Sequence, residues 1–314
     1  MKLPYIALLA VCFFWGTTYL GIRIALEGFP PLYLVAIRYT ISGGVLLLGA
    51  ALAGARLPRG RELLWTAVCG IICIGVGNGG LAIGEKYVAS GLAALIYTSS
   101  PFWMVGIDAL LPGGHRPRPS TVGGLAVGLL GVGFLIYPGA TGGGWGSGML
   151  FGFAVLEISA VGWVLGALLQ KRVEAQTTAL VRGAVQQLAA GLAVFLPASM
   201  FEKMPHAVGT RPTLAVAYLV VFGSFIGFTS FIYAMSKLPV AIVSIYTFAN
   251  PVVAVFLGWL FYREHFGWRE LIAMFIIFAG IAIVRWSESS KPDSDKSVLE
   301  PPTAEHQAEP ATQP

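Results

Sequence analysis

Charge is scarce in this sequence. Asp, Glu, Lys and Arg make up 11% of its 314 residues, where a soluble globular chain carries about 25%. That leaves too few charges to solvate a large water-facing surface, so an ordinary soluble domain is excluded. Cysteine is rarer: Cys12, Cys69 and Cys73 all fall inside apolar runs and read as buried free thiols. Cys69 and Cys73 share a helical face, but a zinc site needs further ligands. The four histidines, His115, His206, His265 and His306, fall in expected loops or the C-terminal segment without ligand pairing, so no metal is expected. No P-loop is present, so ATP does not drive the protein directly. No G-x-S-x-G elbow is present either, which argues against a membrane-embedded enzyme. The net charge of +5 sits in short loops, without a basic patch interleaved with aromatics, and so argues for no nucleic-acid partner.

What the chain does contain is apolar sequence. Hydrophobic residues make up 56% of it. Ten runs are long enough to cross a bilayer, which takes roughly 20 residues. They cover 4–22, 31–53, 63–83, 88–111, 120–137, 147–170, 175–199, 212–235, 239–262 and 267–286. Turn chemistry or charge separates them, as in Gly28-Phe29-Pro30-Pro31 and Arg56-Leu57-Pro58-Arg59-Gly60-Arg61. The spans have to be helical, because backbone polar groups cannot face hydrocarbon unpaired. Barrel strands would be about half as long and would alternate in polarity. The 40 glycines suit a membrane bundle, where small residues let backbones approach. Met1-Lys2 and the apolar stretch after it imitate a signal peptide, but no small-residue cleavage site follows, so the stretch reads as the first span. Residues 287–314 are rich in Pro, Ser, Glu, Ala and Thr and read as a disordered tail.

Orientation follows from the basic residues of short loops. With ten spans both termini lie on one side. That side holds Lys2, Arg56, Arg59, Arg61, Arg116, Arg118, Lys171, Arg172, Lys237 and Arg285, against Arg23, Lys86, Lys203, Arg211, Arg263 and Arg269 opposite. The bias places both termini in the cytoplasm.

The two halves of the chain echo each other. Ala93-Ala94-Leu95-Ile96-Tyr97-Thr98-Ser99-Ser100-Pro101 resembles Val243-Ser244-Ile245-Tyr246-Thr247-Phe248-Ala249-Asn250-Pro251 at a shift of 150. Trp15 matches Trp163, and Arg38 stands against Gln186, at a shift of 148. Near-constant shifts argue for duplication of a five-helix unit, over residues 1–138 and 139–286. Five is odd, so the second copy enters the membrane upside down. The expected fold is an all-α membrane protein of ten transmembrane helices in two inverted five-helix repeats. Substrate sites of such proteins lie near mid-membrane between the repeats.

The motifs carry a resemblance. Trp15-Gly16-Thr17-Thr18-Tyr19, Ile22-Arg23-Ile24-Ala25, Pro30-Pro31 with Arg38-Tyr39, Val76-Gly77-Asn78-Gly79 with Glu85, and Ser90-Gly91-Leu92-Ala93-Ala94 come from the first half. The second adds Asn250-Pro251-Val252-Val253-Ala254-Val255-Phe256-Leu257-Gly258 and Arg263-Glu264. Over about residues 1–286 the chain resembles the EamA family of the drug/metabolite transporter superfamily, especially its YedA-type inner-membrane exporters. Family members commonly end each repeat's fourth helix with Gly-Glu. Here the first half reads Pro112-Gly113-Gly114-His115 without an acid, and the second keeps Glu264. The resemblance implies a bacterial inner-membrane exporter of amino acids, other metabolites or drugs, with a central cavity and no bound cofactor.

A charge near the bilayer centre calls for a functional reading. Glu157 lies about ten residues into its span, roughly 15 Å deep at 1.5 Å per residue. It has to face a cavity, find a partner or be protonated, which makes it the candidate proton or cation site. Arg38, about 9 Å deep by the same rise, is positioned for Glu157 or for a substrate carboxylate. Arg182 is equally deep from the other side, but its stem is long enough to snorkel. Trp15, Thr18 and Tyr19 share one helix face, and an aromatic beside a hydroxyl suits a small amphipathic molecule. Trp163 mirrors Trp15. Asn78, Gln186, Gln187 and Asn250 are interior amides that need partners. The substrate-contact set is therefore Trp15, Thr18, Tyr19, Arg38, Asn78, Glu157, Trp163, Gln186 and Asn250. Pro101 and Pro251 free a backbone carbonyl each near mid-span and are expected chiefly to kink. Glycines at 124 and 128, 162 and 166, and 223 and 227 are spaced for helix contacts, within a monomer or across a homodimer. Gly75, Gly77 and Gly80 spell G-x-G-x-x-G, but inside an apolar helix, so no dinucleotide site is expected. The expected function is a secondary transporter working by alternating access, possible coupling being to protons, with uncoupled facilitated movement or a channel as rivals and a membrane-embedded enzyme as the remaining class.

Overall fold

The computed structural model describes residues 2–112, 117–136, 147–174, 176–238, 243, 245–264 and 267–289, and these are helical with no strand among them. The elements are α1 (Leu3–Ala25), α2 (Pro31–Leu52), α3 (Gly60–Gly84), α4 (Ser90–Tyr97), α5 (Ser100–Leu110), α6 (Pro119–Ile136) and α7 (Ser147–Lys171). They continue as α8 (Ala179–Phe201), α9 (Thr210–Tyr218, Leu219–Ile226 and Gly227–Lys237 without a break), α10 (Tyr246–Tyr262) and α11 (Trp268–Ser289). Among the described residues six helices are long and apolar enough to cross a membrane: α1, α2, α3, α7, α8 and α9. Pro119–Phe134 and Tyr246–Tyr262 are shorter apolar helices. Positions 290–314, most of the expected tail, lie outside the described residues, and α11 runs three residues past the expected end of the last span.

Proline and glycine punctuate the helices for clear reasons. Proline opens α1, α2 and α5 in the first turn, where its missing N–H costs nothing. Gly54 and Gly60 take positive φ in the α2–α3 connection. The expected span 88–111 is broken between α4 and α5 at Thr98–Ser99 rather than merely kinked. Pro101 cannot donate to Tyr97, and the Ser100 hydroxyl takes that carbonyl instead, at 2.6 Å. Pro251, by contrast, is accommodated inside α10.

Two helices depart from α geometry at matching places. α3 is π-helical over Ile71–Val76 and α9 over Leu219–Ile226, so the second stretch starts 148 residues after the first. Such wide turns concentrate at functional positions.

Packing pairs the two halves. α2 lies on α8, α6 on α11, and α4 on α10; α1 packs on α9 and α10, and α7 on α3, α4 and α5. Glycines make these approaches close. A Cβ on Gly280 would sit 2.5 Å from the Gly128 nitrogen and 2.8 Å from the Gly124 oxygen, and one on Gly166 would sit 2.5 Å from the Cys73 Cβ. The paired glycines thus face neighbours within this chain. The G-x-G-x-x-G string lies inside α3, with Gly77 against Trp163 and Gly80 against Ser159. Outward, large apolar side chains stand bare: Leu52, Leu110, Trp268 and Phe275 are each more than two-thirds exposed. α11 shows the division along one helix, with Ala273, Ile277, Ile281 and Val284 buried and Ile272, Phe275 and Trp286 exposed. Apolar surface on this scale fits lipid, not water.

Candidate substrate cavity

A cavity of about 370 Å³ lies between the halves. Its walls come from α1, α2, α3, α4, α5, α7, α8, α9 and α10. Of the residues picked from sequence, Trp15, Thr18, Tyr19, Arg38, Asn78, Trp163, Gln186, Gln187 and Asn250 all line it. Arg182 lines it as well, in the first turn of α8, with its guanidinium turned back to the Thr177 carbonyl. A larger surface groove of about 1120 Å³ lies between the α2–α3 connection and the end of α7, lined by Arg56, Arg59, Arg61 and Arg172 among others; it gathers none of the interior polar residues.

Much of the polar lining is already committed. Trp15 Nε1 donates to the Gly223 carbonyl at 3.1 Å, and its ring packs 5.0 Å from Phe231 and 5.2 Å from Tyr246. The Thr18 hydroxyl donates to the Trp15 carbonyl at 2.6 Å. Gln186 Nε2 donates to Gln170 Oε1 at 2.7 Å, and the Ser42 hydroxyl donates to Gln187 Oε1 at 2.6 Å. Asn250, with its amide oriented to pair, donates to the Cys12 and Tyr246 carbonyls at 3.1 Å each. Asn250 therefore ties α1 to α10 as well as facing the cavity. Asn78 makes no side-chain hydrogen bond among the described residues, so its amide is left for a ligand.

Arg38 is the buried cation of the cavity. It is 5% exposed; its Nε donates to Ser224 Oγ at 3.1 Å, and its guanidinium lies 4.7 Å from the Tyr39 ring centroid. Ser224 and Gly223 both belong to the π-helical turn of α9. A Cβ at Gly223 would meet Arg38 Nη2 at 2.7 Å, so this glycine opens the space the guanidinium occupies.

Beyond the cavity, the end where α1 finishes is packed shut by Ala25, Phe29, Glu85 and Val88, none more than 9% exposed. Carboxylates fasten that end between the halves. Glu264 Oε1 accepts from Ser90 N and Ser90 Oγ, both at 2.9 Å, and its Oε2 accepts from Gly91 N at 3.0 Å. Glu202 accepts from Leu32 N and Tyr33 N at 3.0 and 3.2 Å. Glu27 pairs with Arg211 at 3.5 Å and accepts from the Tyr262 hydroxyl. The first two bonds satisfy helix-start N–H groups that no local side chain caps. At the other end Glu62 joins the halves, accepting from Gln176 N, Thr177 N and Thr177 Oγ1 just before α8, whose own start Thr178 caps.

The EamA-like transporter family model matches residues 2–137 and again 146–286. The chain belongs to that family. This EamA-like transporter is 33% identical over 281 residues to the uncharacterized inner membrane transporter YedA of Escherichia coli K12, covering 88% of this chain and 89% of the relative. It is 29% identical over 253 residues to a protein of Streptantibioticus cattleyicolor named "Probable terminal-alkyne amino-acid exporter", covering 80% and 82%. A solved crystal structure superposes with a TM-score of 0.66 at 24% identity, covering 92% of this chain and 99% of the other, and so supports the fold. The protein is a membrane-embedded transporter of small molecules, not an enzyme.

Glu157 departs from expectation. It is absent from the lining of the transporter's cavity and does not pair with Arg38. Its Oε2 accepts from Ser99 Oγ at 3.0 Å and Trp103 Nε1 at 2.7 Å, while Oε1 is buried without a partner. The reason is helical phase. Trp163, Ala167 and Gln170 line the cavity from one face of α7, and six residues from Glu157 to Trp163 turn the helix by about 600°, placing Glu157 on another face. Glu157 thus stands outside the lining of this cavity. Sequence reading missed Tyr39, Tyr97, Gln170, Ser224 and Tyr246, which line the cavity, and Glu85, which is fully buried with neither carboxyl oxygen hydrogen-bonded. In the sequence Glu85 stood out only as part of a motif. Its depth comes from packing by the other half.

Proposed function

We propose that this EamA-like transporter is a secondary exporter of small metabolites or drugs that works by alternating access in a bacterial inner membrane. The observation that carries the reading is a cavity between the halves, lined by polar and aromatic side chains from both, with carboxylate bonds joining the halves at one end. In this reading the chain crosses the membrane ten times, as two inverted five-helix repeats over 1–138 and 139–286, with both termini cytoplasmic. Matching π-helical turns 148 residues apart support the duplication. So does packing in which α1 on α9 corresponds to α7 on α3 when the halves are exchanged. Two related halves can trade conformations, so that the cavity opens to one side and then to the other. The relative named as an amino-acid exporter supports export of such compounds.

Coupling is assigned to Glu157. Its partnerless Oε1 is a place for a proton, and its bonds to Ser99 and Trp103 join α7 to the α4–α5 break. The test is flux in proteoliposomes across an amino-acid and drug panel, with and without a pH gradient, comparing wild type with Glu157→Gln. Flux driven by the gradient should be lost in the variant. Unchanged driven flux would defeat the coupling role, and flux indifferent to the gradient in the wild type would favour uncoupled facilitated movement.

A further inference from the structure

The cavity holds a buried guanidinium whose donors are mostly unmatched. Arg38 is 95% buried, has Ser224 Oγ as its one hydrogen-bond partner, and has no carboxylate within 4.0 Å among the described residues. The buried Glu85 acts on it only through space and accepts no bond from it, so most of the guanidinium N–H groups are left without an acceptor, which is costly away from water. Two amides add to the imbalance. Gln187 and Gln170 line the cavity with their oxygens already occupied, by Ser42 and Gln186, and with their Nε2 groups buried and lacking an acceptor. Ser42, which holds Gln187, follows Arg38 by one helical turn of α2, so the amide stands on the same face as the guanidinium. Among the described residues no Asp or Glu lines the cavity. The remaining wall is aromatic, with Trp163, Tyr97 and Phe228 among its members.

We infer that the substrate is an organic carboxylate with an apolar or aromatic body. This rests on the reading that the cavity is the transport site. The carboxylate supplies the acceptors that Arg38 lacks, and a guanidinium fork takes a carboxylate in two parallel bonds. The aromatic wall takes the body. A compound with an ammonium and no carboxylate would bring only a second positive charge to Arg38, so such amines are rejected. The volume, near the lower bound for small-molecule pockets, limits the body to about one ring or a branched chain.

The test uses three compounds of one shape on the full-length protein: 3-phenylpropionate, 3-phenylpropionamide and 3-phenylpropylammonium. Binding is read by thermal stabilisation in detergent, and movement by counterflow of radiolabelled 3-phenylpropionate in proteoliposomes against protein-free vesicles. The wild type should bind the carboxylate roughly 10- to 100-fold more tightly than the amide, the value of charge-assisted bonds, and show no stabilisation by the ammonium. Arg38→Gln should erase the preference. Should that variant not fold, the wild-type ranking decides alone. Equal binding of carboxylate and amide, or tighter binding of the ammonium, would overturn the inference and leave the transport reading standing. Selective carboxylate binding without counterflow would uphold the inference and overturn the transport reading.

Discussion

Glu264→Gln tests whether the clasps hold one end of the transporter closed. Glu264 reaches from the end of α10 to the start of α4, 174 residues away in sequence, and makes three hydrogen bonds there. It has a dedicated place: a Cβ on Gly258 would sit 2.3 Å from its Oε2. A glutamine keeps one acceptor and turns an NH₂ toward a backbone N–H. It therefore loses one or two bonds to a charged group, each contributing roughly 1.5–3 kcal/mol, and the helix-start attraction as well. These bonds are only part-buried, so about 2–4 kcal/mol is the working figure. If the bonds exist only when this end is shut, its opening equilibrium shifts roughly 30- to 700-fold. Spin labels at exposed Lys86 and Lys203, one in each half at this end, report the change by double electron–electron resonance. The variant should gain a longer-distance population. A distance distribution identical to wild type in a folded variant would refute the claim that this carboxylate latches the end.

Glu62→Gln acts at the opposite end, where Glu62 binds Gln176 and Thr177, so it should deplete rather than enrich the long-distance population in the same measurement. Gly223→Ala brings a Cβ within 2.7 Å of Arg38 Nη2 and 2.9 Å of the Thr18 side chain; it should cost about 1–3 kcal/mol in thermal unfolding and abolish carboxylate binding. Gly133→Ala has open space around the new methyl, and as a helix-interior change it should stabilise by about 0.5–1 kcal/mol. Arg263 ends α10 at φ 51°, a left-handed position that costs a non-glycine residue about 1–2 kcal/mol, so Arg263→Gly should raise the unfolding temperature.

Legibility differed between the fold and the site. The apolar runs announced helices because length and composition alone decide whether a segment can sit in lipid. Trp15, Thr18 and Tyr19 were readable as one face because helical spacing is a local property, and all three line the cavity. Glu157 was readable as deep but not as facing α5, because depth follows from position along a helix while azimuth follows from which neighbours claim each face. The α4–α5 break was only half visible: Pro101 marked a lost bond, but the opening at Thr98–Ser99 appears only in the folded chain.

By itself the sequence determined that this protein lives in lipid, is helical, and repeats a unit about 148 residues long. Hydropathy, backbone pairing in hydrocarbon and internal similarity need no neighbours to act. Only the tertiary structure decided which polar groups spend their bonds on each other and which remain open. Gln170 and Gln187 have their oxygens occupied and their nitrogens left over because side chains on other helices were placed beside them. Glu264 caps a helix start in the other half for the same reason. Hydrogen bonding is short-ranged, so its partners are fixed by proximity in space, which the order of residues along the chain does not state.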